Sequence, residues 1–425
     1  MRRLLRSGLL RDNIALLALS MVVNVLGFGF QYVMARLLEP AAYAEMFAVL
    51  SLLTLFAVPS VALKTLVIKM TGELYVQGLN EKLWSWVVAW GARLGAAGLI
   101  LGIGFAASSG WISRALQLDS GLSVIVAGLA IFLGFTTIVV RGALAGMRSF
   151  VVLGIAGVAE TTTRLVSALV LVLLGFAAAG AVAGSAAGAF AVIVIGGMAV
   201  RRITTKPGET AAGRTEELPV WADQARVLAL TLALTVIFNT DVLFVKHYFA
   251  EFEAASYSAV ALVGRTIFFA SAPVATVLLP HTIKSFRQGV SVVPGVLTSV
   301  GMIVAIAALV AAVVLLFPGQ LFRVAFSDRY LPDKILLLNY AAAGSLMAVN
   351  VALAQLHIGV GHLRPWRALA LFAVGMVVAM SIAHSSMTQL AGALAATSAV
   401  TFAYLALETF LLIRRAASQP TGASA

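Results

Sequence analysis

Apolar runs about 20 residues long recur along almost the whole chain, from Ile14 to Ile413. A helix of that length rises about 30 Å, the thickness of a bilayer's hydrocarbon core, where every backbone N–H and C=O must be paired within the protein. A barrel would need strands of about 10 residues with alternating polarity, and these runs do not alternate. The chain is therefore expected to be an all-α polytopic membrane protein. Its 61% hydrophobic and 11% charged residues fit no soluble domain of this length.

The runs predict twelve transmembrane helices over 13–35, 44–69, 83–107, 121–143, 150–174, 177–200, 222–248, 256–280, 294–317, 333–358, 366–384 and 389–413. One long polar segment, 201–224, rich in charge, Pro and Gly, divides them six and six. The expected organisation is a bundle over 1–200, a cytoplasmic linker over 201–224, a second bundle over 225–415 and a disordered cytoplasmic tail over 416–425. The basic residues Arg2, Arg3, Arg6 and Arg11 precede a first run too long for a signal peptide's apolar region, so it is expected to stay as the first helix.

The two halves share a hairpin. Phe238 to Phe286 holds two apolar arms around a short turn with Glu251 and Glu253, and a fainter version lies 214 residues earlier. Glu39, Ala41, Tyr43, Val49 and Pro59 fall on Glu253, Ala255, Tyr257, Val263 and Pro273. A proline inside a membrane helix removes one backbone hydrogen bond, so Pro59 and Pro273 are either static bends or hinges. Asn24 and Asn239 nearly correspond as well, and either could bind a ligand or hold two helices together.

The net charge of +12 would point to nucleic acid in a soluble protein. Its distribution here points to lipid. With the N-terminus inside, 19 basic residues fall in the tail, the linker and the even-numbered connections, Arg141 and Arg148 among them. Six fall outside: Arg36, Arg114, Lys246, Arg323, Arg329 and Lys334. That bias predicts both termini in the cytoplasm and places the charge against anionic membrane lipids, with no nucleic acid needed.

Lys64, Arg93, Arg164 and Arg265 are left within helices, together with Glu160, Asp241 and Glu408. Each charge at the bilayer centre costs about 2.5–3.5 kcal/mol even on a lenient scale, so these residues should face a polar cavity or one another. Glu160 and Arg164, four apart, share a helix face. Asp241 and Arg265 lie at matching depths, roughly 10 and 13 Å below the outer turn at 1.5 Å per residue. Either pair could simply fix helix packing. The deeper set nonetheless has more positive than negative charge, which suits an anionic ligand such as phosphate. Small residues four apart, at Gly91/Gly95, Gly98/Gly102 and Gly180/Gly184/Gly188, suit close helix packing.

Other chemistry is missing from the sequence. No phosphate-binding G-x-x-x-x-G-K-[ST] loop occurs, the five histidines have no ligand spacing, there is no cysteine, and no outer loop could hold a catalytic domain. A transporter without cofactor, metal or catalytic residues is expected, rather than a polysaccharide polymerase or ligase.

Several motifs carry a resemblance. ARLLEPAAY follows the first helix, RGALAGMRSF and ETTTRLV mark the fifth, and NTDVLFVK with ASYSA marks the hairpin. In these the chain, from about Asp12 to Arg415, resembles the polysaccharide flippases of the multidrug, oligosaccharidyl-lipid and polysaccharide exporter superfamily. The resemblance implies two pseudo-symmetric six-helix bundles forming a V around a central cavity in the bacterial inner membrane. It implies transport of an isoprenoid pyrophosphate-linked oligosaccharide to the outer leaflet by alternating access, with polysaccharide polymerase or assembly proteins as partners. Arg265, Arg164 and Arg93, with Lys64 nearer the inner end, would then meet the pyrophosphate, and Asp241 would serve coupling. A deep basic residue in the first helix, usual in peptidoglycan-precursor flippases, is missing, which favours a polysaccharide substrate. A cation-coupled multidrug exporter of the same fold is the alternative.

Overall fold

The computed structural model describes residues 8–205, 221–287, 293–326, 330 and 333–418. Their regular structure is helical. The first half contains α1 (Gly8–Leu37), α2 (Pro40–Ala57), α3 (Pro59–Val76), α4 (Asn80–Ala107), α5 (Ser109–Ala115), α6 (Leu122–Gly146), α7 (Phe150–Leu171) and α8 (Ala177–Thr204). The second contains α9 (Trp221–Tyr248), α10 (Glu251–Arg287), α11 (Val293–Leu316), α12 (Pro318–Phe326), α13 (Lys334–Gly359), α14 (Trp366–Ile382) and α15 (Met387–Ser418).

Ten stretches are long and apolar enough to span a bilayer, and α14 is a shorter apolar helix. One of the ten, Phe150–Thr204, folds back on itself. Its turn is a π-helical segment, Val172–Phe176, in which Gly175 takes φ 93°, a conformation closed to most side chains. Counting that stretch twice and adding α14 gives twelve crossings among the described residues of a multi-pass membrane protein. Ile100, Leu309 and Ile382 keep 71%, 67% and 77% of their surface accessible, so apolar side chains cover the outside as well. Lipid is the solvent such a surface requires.

The helix boundaries depart from expectation where local chemistry overrides hydropathy. The second crossing is two helices, because Pro59 brings no N–H to the ladder; α2 closes with Val58 N–H donating to the Leu55 carbonyl at 3.3 Å, and α3 starts on the proline. Pro273 lies within the continuous α10. That helix starts at Glu251 instead of 256, and its first turn holds Glu253, which accepts a 3.2 Å bond from the Ala250 N–H. The short helices α5 and α12, each following the third crossing of its half, were not expected. Helix α8 reaches Thr204, four residues into the expected linker, α9 starts inside that linker at Trp221, and α15 runs to Ser418, into the expected tail. Residues 206–220 and 419–425 lie outside the described residues.

The chain divides into two compact units, Met1–Trp221 and Ala222–Ala425. In the first, α6 is central and packs on α2, α3, α4 and α8; in the second, α13 packs on α10, α11 and α15. Small residues set the closest approaches. A Cβ on Gly102 would lie 2.3 Å from the Gly128 carbonyl oxygen and one on Gly98 2.6 Å from Phe135 Cβ, so α4 and α6 touch almost backbone to backbone. Gly91 meets no such neighbour.

Candidate functional site

The first unit encloses a cavity of about 600 Å³, within the range that holds a small ligand. Its wall is built by α1, α2, α3, α6, α7 and α8. Among its described lining residues are three cations, Lys64, Arg141 and Arg164, and one carboxylate, Glu160, with Gln31 and Ser185. Helix α8 positions the α7 residues. A Cβ on Gly184 would come within 2.6 Å of the Arg164 carbonyl, and one on Gly188 within 2.7 Å of that of Glu160, so only glycine lets the two helices lie this close.

The charges pair differently from the sequence expectation. Glu160 accepts from Arg141 Nη2 on α6, not from Arg164 one turn along its own helix. Arg164 still feels the Glu160 charge, but its guanidinium lies over the Phe30 ring, 4.1 Å from the centroid. Arg141, expected in a cytoplasmic connection, is a cavity residue: α6 runs on to Gly146 and carries it inside. Lys64 and Arg141 are near enough for their like charges to interact. The ion pair is reachable by solvent, with 31% of Arg141 and 29% of Glu160 accessible. Three polar atoms at this wall are covered by protein and have no hydrogen-bond partner: Gln31 Oε1, Arg164 Nε and Ser185 Oγ.

In the second unit the polar groups close on one another. Asp241 is fully buried; its Oδ1 is 3.3 Å from Arg265 Nη2, and its Oδ2 accepts from Tyr257 at 3.0 Å and from Tyr340. Arg265 also donates to the Phe238 carbonyl at 2.8 Å, and its side chain is 8% accessible. The hairpin thus brings together the two residues that helical rise put at one depth. The two tyrosines, one from α13, close the cluster around them. Tyr257 was singled out only as a repeat position, and Tyr340 gave no signal in the sequence.

The remaining expected residues lie apart. Arg93 is exposed on α4, with its guanidinium 5.5 Å from the Trp90 ring centroid. Asn24 is exposed, and half-buried Asn239 donates to its own helix at Thr235 O, 2.9 Å. Glu408, within α15, meets His362 at 3.3 Å. Lys246, expected in an outer connection, is buried in the last turn of α9. Glu45, which sequence reading passed over, is buried and accepts from Ser123 Oγ. The side chains of Pro59 and Pro273 lie outside the described residues.

No family model and no curated protein matches this sequence. Solved structures do match. A multidrug resistance MATE family transporter of the MOP superfamily, inward-facing, superposes with a TM-score of 0.72 at 14% identity over 96% of this chain and 99% of its own. The lipid II flippase MurJ, inward closed, gives 0.64 at 11% identity over 94% and 87%. A MOP superfamily transporter from Pyrococcus furiosus, whose binding pocket is described as reversed in polarity and suggestive of a different function, gives 0.63 at 13% identity over 96% of both chains. The chain therefore has the fold of MOP superfamily transporters, and at these identities the likeness is one of fold.

Proposed function

We propose that this chain is a secondary flippase. It carries an isoprenoid pyrophosphate-linked oligosaccharide from the cytoplasmic to the outer leaflet of the bacterial inner membrane, for surface polysaccharide assembly, by alternating access and without ATP. The observation behind this reading is the charge of the first-half cavity. Lys64, Arg141 and Arg164 face a single carboxylate, and that carboxylate is already engaged by Arg141. Surplus cations in a low-dielectric wall attract an anion, and guanidinium forks match phosphate oxygens. The pyrophosphate would sit there, the saccharide in the wet part of the cavity and the isoprenoid tail in lipid. Arg265 holds the hairpin through Asp241, and Arg93, exposed beside Trp90 at the middle of α4, is not among the residues lining this cavity.

Transport still needs a source of direction, because a ligand bound equally by two states shifts neither. An anion leaving a negatively charged interior moves down the membrane potential, worth about 2.3 kcal/mol per charge per 100 mV. Consumption of the product outside would act in the same direction. The orientation this requires, with both termini cytoplasmic, rests on the bias of basic residues described above.

A second reading, a cation-coupled multidrug exporter, is supported by the MATE transporter among the fold neighbours and by the aromatic wall residues Phe56 and Phe135. The test is leaflet-resolved flipping in vesicles containing only this protein and a fluorescent isoprenoid pyrophosphate-linked saccharide. The flippase reading expects protein-dependent flipping that Lys64→Ala, Arg141→Ala and Arg164→Ala each impair. No flipping, together with drug-dependent proton or sodium efflux, would establish the second reading in its place.

A further inference from the structure

Arg93 stands in the middle of α4, 13 residues after Asn80 and 14 before Ala107, about 20 Å of helix from either end. It is exposed, lies beside the Trp90 ring and has no ion pair among the described residues. Packing carries it away from the cavity in two steps. On α6, Gly128 and Phe132 meet α4 while Gly134, Thr137 and Arg141 line the cavity, and at about 100° per residue the two sets lie on opposite sides of the helix. On α4, the glycine row that meets α6 faces one way and Arg93 the other. Ala89, Ala92, Ala96 and Ile100 are exposed around it, so the arginine stands on an apolar outer face of the first unit.

An unpaired guanidinium at that depth is costly, and reaching back to the headgroups serves arginines near helix ends. Lipid phosphates lie at the bilayer surface, about 15 Å from its midplane. An anion at mid-depth has to be brought there on a protein helix. We propose that this face of α4 docks a transmembrane helix of another membrane protein, one with an Asp or Glu at mid-depth whose carboxylate pairs with Arg93. Charge complementarity selects that occupant over a second copy of this chain. More than one turn inside the described bilayer-spanning stretches, this chain's carboxylates are Glu45, Glu160, Asp241 and Glu408, and each already accepts a hydrogen bond within the chain. Two α4 faces would also set arginine against arginine. The exposed alanines let the backbone of an incoming helix come close enough for a short acidic side chain to reach the guanidinium. Such docking leaves the cavity wall untouched, whatever the cavity carries.

The test uses the full-length protein, labelled with a fluorescence donor, in phosphatidylcholine vesicles with acceptor-labelled transmembrane peptides of about 24 leucines and alanines carrying Asp, Asn or Lys at the centre. Energy transfer should show the Asp peptide associating about tenfold more strongly than the Asn peptide. Arg93→Gln should bring that ratio to one, Arg93→Glu should turn the preference to the Lys peptide, and Ala96→Leu should weaken association of the Asp peptide with Arg93 intact. Both positions are exposed, so these variants should melt with wild type. Equal association of the Asp and Asn peptides with wild type, or a preference that survives Arg93→Gln, overturns the docking site. Energy transfer between donor- and acceptor-labelled copies of the protein that Arg93→Gln removes would overturn it in favour of a second copy. Loss of the Asp preference when phosphatidylglycerol replaces phosphatidylcholine would overturn it in favour of lipid headgroups.

Discussion

The two halves repeat one hairpin and use its polar residues in opposite ways. In the second half Asp241 receives hydrogen bonds from Arg265, Tyr257 and Tyr340 and keeps none of its surface. In the first half, 214 residues earlier, the positions of Asp241 and Arg265 are held by Gly27 and Ser51, and Ser51 merely bonds back to its own helix at Phe47 O, 2.9 Å. Conversely, Lys64 of the cavity has Leu278 at the matching place. A buried charge is tolerated either by pairing it completely or by leaving it beside a space that solvent or ligand can enter. The Asp241 cluster of the second half takes the first course and the cavity charges Lys64, Arg141 and Arg164 of the first half take the second, so binding is expected where charges border open space.

The sharpest way to break this comparison is to remove one partner from the closed cluster. Arg265→Gln should cost about 3–5 kcal/mol of stability, because Asp241 is left as an uncompensated buried charge. Thermal unfolding of the purified protein should show the loss, and Asp241→Asn in the same chain should recover most of it along with transport. If the double variant folds but does not transport, Arg265 has a role in the substrate path and the division between the halves fails.

Next in size is Arg164→Leu, expected to lower flipping about 100-fold, near 2.7 kcal/mol, within the cost of removing one partner of a desolvated charge contact. The melting temperature should barely change, since Arg164 is not the hydrogen-bonded partner of Glu160. A fall in stability equal to that of Arg265→Gln would make the two halves alike. Tyr340→Phe should cost about 1.5–3 kcal/mol, the value of a hydrogen bond to a charged group, with transport by the folded fraction unaltered. The smallest effect is expected of Arg93→Ala, with flipping within about twofold of wild type because the residue lies outside the cavity wall. A tenfold loss would return Arg93 to the substrate path.

Much of this architecture is legible in the sequence, and what is not has identifiable physical causes. Twelve crossings follow from hydropathy because lipid demands long uninterrupted apolar helices. Asp241 and Arg265 are joined by a short hairpin, so counting residues from the turn places them level. Arg141 and Glu160 lie on separate helices, and whether a basic residue near a helix end is inside or outside depends on where the helix stops, which hydropathy blurs by several residues. Hydropathy alone did not give the facing of Arg93, but the glycine row Gly95, Gly98 and Gly102 that meets α6 puts Arg93 on the opposite side of α4. Tyr340 is 99 residues from Asp241, and only packing of α13 on α10 brings them together. The cavity cations could be named one by one, but their assembly needed the tertiary structure.

The glycines of α8 also have a mechanical consequence. With the carbonyls of Glu160 and Arg164 seated against Gly188 and Gly184, α7 and α8 have no room to slide and form a stiff leaf. The facing leaf is jointed, since the second crossing is interrupted at Val58, six residues before Lys64. A change of about 20° at that joint would swing Lys64, about 9 Å beyond it, through roughly 3 Å. That is enough to take an ammonium out of hydrogen-bond reach of an anion still held by Arg164. A site built this way would loosen its grip on one side at a time, with the lysine letting go and the arginine steering.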